Sequence, residues 1–530
     1  MNRDLAIKIF KTIAYLGIYG GLLMPLVFIP VVIFPFVFSK LVFLQILVGL
    51  TFPAYVALAW MEPKYRPPKS ALYAAIIAYF VALTLSTIFS VDPVRSWWGN
   101  QERMNGLFTL LHLFAWLTMT VGMLKLWRDW YRLLNYEIVL AVIMACVSLL
   151  QIPFPKLLMF QAGPRVGGLV DNPIYMGVYQ IFNLAFLMLL FIKTKDKLAR
   201  IWYGVASVFM LGAFMAAQSR GAMVGLAAFL GIFAVYIAIF TKNKKVKVGI
   251  LSAAAAGIAL YVTAFIFKAT AFVQSIPYLP RFLDLTAASQ TRLIAWRIAW
   301  DGFLERPLTG WGFDAFHILF NFKYNPRSLE FGYYETWFDR AHNTVMDVLA
   351  MTGIFGFVTY FGIFGAIFYL VWRAWKRGWI DLPIAAVLTA LPIGYFLQNL
   401  FVFDHPAAFS MSYLLFALVI AATRPTFIGE RDAAEVTPEG RIKEGKTHAA
   451  PWIAFAIFQL VMLLVAWRYS VLPFQASQIS IKANMYMRSG ALPQAWEMIQ
   501  KAGAIPTPYV DEQTFLISRD LIEDRVRAGN

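Results

Sequence analysis

His342 stands where the polar stretch 269–345 gives way to an apolar run, with Ala341 before it and Asn343 after it. An imidazole titrates near neutrality, so at a boundary between water and lipid it stands where chemistry on a lipid-borne substrate could occur. The same stretch holds seven Lys/Arg, including Arg281, Arg292, Arg297, Arg306 and Arg340, interleaved with Trp311, Tyr333, Tyr334 and Trp337. Guanidinium forks suit phosphate oxygens, and aromatic faces suit sugar rings. The other histidines, His112, His317, His405 and His448, lack such a set of candidate partners.

Three further polar pieces carry arginines. QSRG at 218–221 puts Arg220 between two apolar runs, where an unpartnered arginine costs roughly 2.5 to 3.5 kcal/mol at a helix centre and less near an end. Either it snorkels to the interface or it meets a ligand. Gly221 and Gly225 form GxxxG, which reads as helix packing rather than a phosphate cradle. In GPRVGGLVDNP, Arg165 is an ordinary loop arginine or an anion contact. In VDPVRSWWGNQERMNG, an interfacial aromatic belt explains Trp97 and Trp98 but not Arg103. Within the large loop, TRLIAWRIAWDGFL at 291–304 has apolar residues at near-helical spacing. It predicts a helix at the membrane surface, with Arg292 near its start facing an anion and Arg297 further along.

What positions these residues is a membrane bundle. The 530-residue chain is 60% hydrophobic and only 14% charged, and thirteen apolar runs are each long enough to cross a bilayer as a helix: 13–38, 42–60, 71–90, 107–126, 133–152, 174–192, 201–218, 221–241, 248–268, 346–372, 382–402, 406–423 and 451–472. The fold class is therefore an all-α polytopic membrane protein with twelve to thirteen transmembrane helices. The net charge of +17 does not indicate nucleic acid, because Lys/Arg cluster in alternate connections, such as Lys193 to Arg200, Lys242 to Lys247 and Arg373 to Arg377. By the positive-inside rule those connections are cytoplasmic, so 269–345 and the tail are extracytoplasmic. The first run is too long for a signal-peptide core and reads as a retained span. The single cysteine, Cys146, excludes an internal disulfide. HExxH, CxxC, acidic calcium loops, P-loops and dinucleotide glycine fingerprints are all missing, so neither a metal nor another cofactor is expected.

Residues 1–472 read as the transmembrane domain and 473–530 as a small helical tail. In the tail, Tyr486, Gly490, Ala495 and Ala502, with Pro506 behind, match the spacing of a tetratricopeptide helix pair. One repeat buries no core alone and must dock on something. The charged segment 425–447 reads as a cytoplasmic loop.

Taken in order, QSRGAMVGL, TRLIAWRIAWDGFLERPLTGWGFDAF and AHNTVMDVLAMTGIFGF resemble successive blocks of the bacterial O-antigen ligase and polymerase superfamily. GNQERMNG and PRVGGLVDNP are similar to its earlier extracytoplasmic blocks, so the resemblance spans roughly 75–425. It implies an inverting glycosyltransferase of the bacterial inner membrane with its active site facing the periplasm, using an undecaprenyl-diphosphate-linked glycan as donor and no metal. By that pattern His342 is the general base and Arg220 and Arg292 hold the diphosphate, with Arg165, Arg103, Arg297 and Asn343 as candidate substrate contacts. The acceptor is lipid A core for a ligase, another glycan for a polymerase, or a protein hydroxyl for an oligosaccharyltransferase. A transporter of the lipid-linked glycan is the non-enzymatic alternative; it would carry its charges at mid-membrane rather than at one side.

Overall fold

The computed structural model describes residues 3–158, 165–276, 278–283, 290–331, 336–427 and 450–510, together with 512, 513, 515, 516 and 519. Tyr333, Tyr334, His448 and residues 428–447 of the charged segment lie outside them. The described chain is helical, with no strand. In chain order the helices are α1 (Arg3–Leu22), α2 (Phe38–Met61), α3 (Ala71–Ile88), α4 (Pro93–Trp98), α5 (Leu107–Met123), α6 (Trp127–Leu150) and α7 (Pro173–Lys193). They continue with α8 (Lys197–Ala217), α9 (Arg220–Phe240), α10 (Lys244–Ile266), α11 (Ala271–Ser275), α12 (Leu279–Leu283), α13 (Gln290–Glu305) and α14 (Phe316–Phe322). The last six are α15 (Thr344–Lys376), α16 (Leu382–Asn399), α17 (Pro406–Ala422), α18 (Ala450–Ala466), α19 (Leu472–Arg488) and α20 (Leu492–Gly503).

Among the described residues, 11 helices are long and apolar enough to cross a membrane, and α5 and α17 are shorter apolar helices. The protein is thus a multi-pass membrane protein. The first expected span, 13–38, is corrected: α1 begins at Arg3 and stops at Leu22. Pro25, Pro30 and Pro35 follow, and each lacks the N–H that a continuing helix needs, so the apolar stretch up to Phe38 is a turn-rich connection.

The chain divides into two compact units. The first comprises residues 1–68, 93–123 and 437–530. In it, α2 packs against α1, α5 and α18. Buried Gln45 joins the set, donating to Thr109 Oγ1 (3.1 Å) and accepting from Ser470 Oγ (2.9 Å). α18 runs through a π turn, Trp467–Val471, into α19 without a break, so the tail grows directly from the last span. α19 and α20 pack together: Gly490 takes φ +79° at the turn, and Ala483, Met487 and Ala495 make a small core. Beyond it, Glu512 Oε2 accepts from the Gln101 amide (2.9 Å) and Tyr509 donates to the Trp98 carbonyl (3.3 Å).

The second unit comprises residues 69–92 and 124–436. Here α9 lies along α16 so closely that a Cβ on Gly225 would come within 2.9 Å of the Gly394 carbonyl, and one on Gly394 within 2.6 Å of the Gly225 carbonyl. The GxxxG is a packing surface, as its spacing suggested. α10 rests on α9 and buries none of its own residues.

The large loop is tied to a break in α15. Gly353 departs from helical geometry at φ 62°, ψ −161°. The segment after α13 lies alongside: Ile354 donates to Pro307 O (2.8 Å), while Trp311 donates to Ala350 O (2.9 Å) and Gly312 to Met351 O (3.0 Å). Ser86 Oγ from α3 also donates to Met351 O (2.8 Å). A helix interrupted at membrane depth must find such partners for its freed backbone groups.

The orientation rests on charge asymmetry, and labelling checks it. Glu330 in the loop and Gln500 on α20 are exposed, whereas Gln513 is buried. With Cys146 replaced by serine, cysteines at Glu330 and Gln500 should react with an impermeant maleimide in intact spheroplasts. Protection of both until lysis would reverse the orientation.

Candidate active site

The site is built in the second unit, at the end of the bundle where α8 and α16 finish and α7, α9, α15 and α17 start. α8 ends at Gln218, which takes a left-handed turn (φ 50°), and Ser219 then caps α9 by accepting from the Ala222 amide (3.3 Å). Arg220 is therefore the first helical residue of α9. Its Nε donates to the Arg281 carbonyl (3.2 Å), and Arg281 Nε donates back to the Gln218 carbonyl (3.0 Å). Arg165 Nε donates to the Ala217 carbonyl (3.1 Å). In each arginine one nitrogen fixes the plane of the guanidinium against a peptide group.

Arg165 lies within reach of the other two charges. Burial pushes Arg165 down to about 10, and the neighbouring Arg281 and Arg220 push in the same direction. It stays charged at neutral pH. A cluster of like charges partly withdrawn from water is unfavourable by itself and is relieved by an anion carrying more than one charge.

α13 matches the expected 291–304 helix closely. Thr291, Ala295, Ile298, Ala299 and Gly302 form its buried stripe, packed against α15. Arg292 lies half-buried in its first turn and donates from Nη1 to the Phe401 carbonyl (3.1 Å). Phe401 also packs beside Gly221, next to Arg220. One residue of the α16–α17 connector thus touches both arginine blocks. Arg297 is not brought to them: five residues on from Arg292 it is rotated by about 140°, with its side chain 77% exposed and paired to Asp301 (3.2 Å).

His342 is held from several sides. It adopts φ 54°, a conformation uncommon outside glycine. Asn343 caps α15, its side-chain oxygen accepting from Val345 N (2.9 Å) and Met346 N (3.3 Å). That oxygen is spent on the helix end. The Ala341 amide donates to Asp347 Oδ1 (2.7 Å), and Trp296 of α13 donates to the Ala341 carbonyl (2.9 Å). Arg340 is buried in an ion pair with Asp314, and its carbonyl lies 3.1 Å from His342 Nδ1. Because a carbonyl only accepts, Nδ1 carries the proton in the neutral ring and Nε2 keeps a lone pair. Phe338 and Phe403 flank the imidazole edge-on, with centroids at 5.2 and 4.9 Å.

Asp404, beside Phe403, was not singled out from sequence. Burial raises its pKa, against hydrogen bonds from Tyr395 (2.6 Å) and Asn399 (3.0 Å) and the charge of Arg340. An acid closing an apolar run in LFVFDHP was the available signal. Arg281 was read only as part of the loop's basic set. Arg103 belongs to the first unit, with its guanidinium 3.5 Å from Glu102. Among the described residues, no group of three or more His, Cys, Asp or Glu is arranged to hold a metal.

Residues 205–361 match the family model described as O-antigen ligase. The matched stretch contains Arg220, Arg281, Arg292, His342 and Gly353, and it supports the superfamily that the order of blocks resembles. No curated protein matches the chain.

Proposed function

From this O-antigen ligase match, which takes in Arg220, Arg281, Arg292 and His342, we propose that the protein is a membrane glycosyltransferase moving a glycan from undecaprenyl diphosphate to an acceptor hydroxyl, in the manner of an O-antigen ligase, at the outer face of the inner membrane. The observation that carries the reading is the convergence of Arg165, Arg220 and Arg281 at the same bundle end as His342.

His342 Nε2 takes the acceptor proton while Nδ1–H stays on the Arg340 carbonyl, so the ring turns cationic without losing its anchor. The acceptor oxygen then forms its bond to the anomeric carbon from the face opposite the diphosphate, and the carbon–oxygen bond to the diphosphate breaks with inversion. The electron pair leaves with undecaprenyl diphosphate. Arg220, Arg165 and Arg281 stabilise that charge, with Arg292 alongside, through guanidinium groups already oriented by their peptide contacts. The imidazolium finally releases its proton to water.

Donor binding tests the anion site. Measured with a labelled undecaprenyl-diphosphate glycan on purified protein, Arg281→Gln and Arg220→Gln should each weaken affinity roughly tenfold to hundredfold, as the loss of a charged hydrogen bond does. Lysine should restore only part of it, since the planar fork is lost. Unchanged affinity in both glutamine variants, with melting temperatures near wild type, would move the diphosphate elsewhere.

A further inference from the structure

The end of α15 opposite His342 carries a second basic cluster, which the transfer chemistry does not use. α15 closes with WRAWKRGW at 372–379. Gly378 takes φ +71°, and the chain folds back with Gly378 N donating to Trp375 O (2.9 Å) and Trp379 N to Ala374 O (2.9 Å). This pair of bonds is a Schellman ending, and it returns Trp379 over the last helical turn. Arg373 and Arg377 then lie 5.6 and 5.1 Å from the Trp379 ring, and Lys376 lies 4.7 Å from Trp372 and 4.8 Å from Trp375. Phe240, at the end of α9, packs on Trp372 and Trp375 at 5.5 and 4.8 Å, which brings the exposed lysine run 242–247 next in the chain.

An aromatic belt with positive charge is common at a membrane surface. Two features here go further. Elsewhere in this unit Lys193 is paired with Asp381 at 2.8 Å, but among the described residues no carboxylate pairs with Arg373, Lys376 or Arg377. The Arg373 Nε is also buried without a hydrogen-bond partner among them. A buried donor of that kind calls for an acceptor. The cations are held at the level of the indole rings, and exposed Tyr369 and Trp372 continue the surface along the helix as an apolar strip.

We propose that this cluster binds the phosphodiester headgroup of an anionic phospholipid, with Arg373, Lys376 and Arg377 on the phosphate and the Tyr369–Trp372 strip against an acyl chain. A soluble phosphate would gain nothing from the strip, whereas a basic cluster flanked by apolar surface suits a lipid. The site is separate from the proposed donor site, which lies at the other end of the helix.

The test uses the full chain, delipidated in neutral detergent and titrated with phosphatidylglycerol, phosphatidylcholine or inorganic phosphate, with bound lipid counted by native mass spectrometry. Wild type should retain phosphatidylglycerol, and the triple variant Arg373→Gln/Lys376→Gln/Arg377→Gln should bind it roughly tenfold to hundredfold more weakly. A control triple, Lys125→Gln/Arg128→Gln/Arg132→Gln, removes the same charge at the start of α6 and should bind like wild type. Glycan transfer by both variants reports that they fold and insert. Equal loss in the two triples, equal retention of phosphatidylcholine, or displacement of the lipid by inorganic phosphate at matched concentration would each overturn the proposal. Should the triple fail to insert, Arg373→Gln alone, which removes the buried donor, must still weaken binding.

Discussion

Replacing His342 with alanine is expected to cut glycan transfer by roughly 10² to 10⁴ while leaving donor affinity near wild type. The size follows from losing the group that accepts the acceptor proton. The persistence of donor binding follows from geometry, because the arginines proposed to face the diphosphate are anchored to peptide carbonyls of residues 217, 218 and 281 and not to the imidazole. The measurement is transfer from undecaprenyl-diphosphate glycan to an acceptor by purified protein, alongside donor binding on the same preparation. EDTA should leave the wild type unaffected. Full turnover in the alanine variant would reduce His342 to a structural residue, and EDTA-sensitive turnover in the wild type would point to a metal-dependent reaction.

The second large effect is on the fold itself. Gly353→Val should prevent accumulation of inserted protein or lower its melting temperature sharply, with a cost on the order of 3 kcal/mol or more. At φ 62° and ψ −161° the backbone is in a region open essentially to glycine, and any Cβ would collide with the Leu308 carbonyl. Neither obstacle can move, since the 307–312 segment supplies the hydrogen bonds that the break in α15 requires. Gly362→Ala on the same helix is the control. A Cβ there meets nothing within 4 Å, so the change should be neutral or stabilise by up to about 1 kcal/mol. Melting curves in detergent decide between them, and equal stability of the two variants would mean that the break is not required.

Much of the bundle was legible because apolar runs and basic connections report span positions almost directly. α13 was also legible, since its stripe is a local periodic signal and the observed Gln290–Glu305 differs from the reading by one residue at each end. Local composition misled at the start of the chain, where three prolines among apolar residues outweigh hydropathy. At the candidate site, His342, Arg220 and Arg292 stand out by residue type and by the order of their blocks, and the structure places all three at one end of the second unit's bundle. Arg281 could not be separated from its basic neighbours, because its place depends on a bond accepted from Arg220 and one donated to Gln218, 61 and 63 positions away. The Arg340–Asp314 pair depends in the same way on pairing between separate segments, 26 positions apart. Gly353 was noted as part of a motif, yet nothing local distinguishes a glycine that breaks a helix from one that merely sits in it, as Gly362 does.

α10 rests on α9 along one edge and buries nothing over its 23 residues, so in a bilayer the rest of its apolar length is left to lipid. Its far end leads through 267–270 into the short helices that carry Arg281. For the proposed donor, whose prenyl chain would already lie in the bilayer, arrival at the arginines is then a search in two dimensions, made sideways from the lipid leaflet. Such an encounter is governed by bilayer fluidity and by the number of donor molecules per unit area of membrane. Bulk ionic strength, which sets the pace when a charged ligand is captured from water, acts on it only weakly.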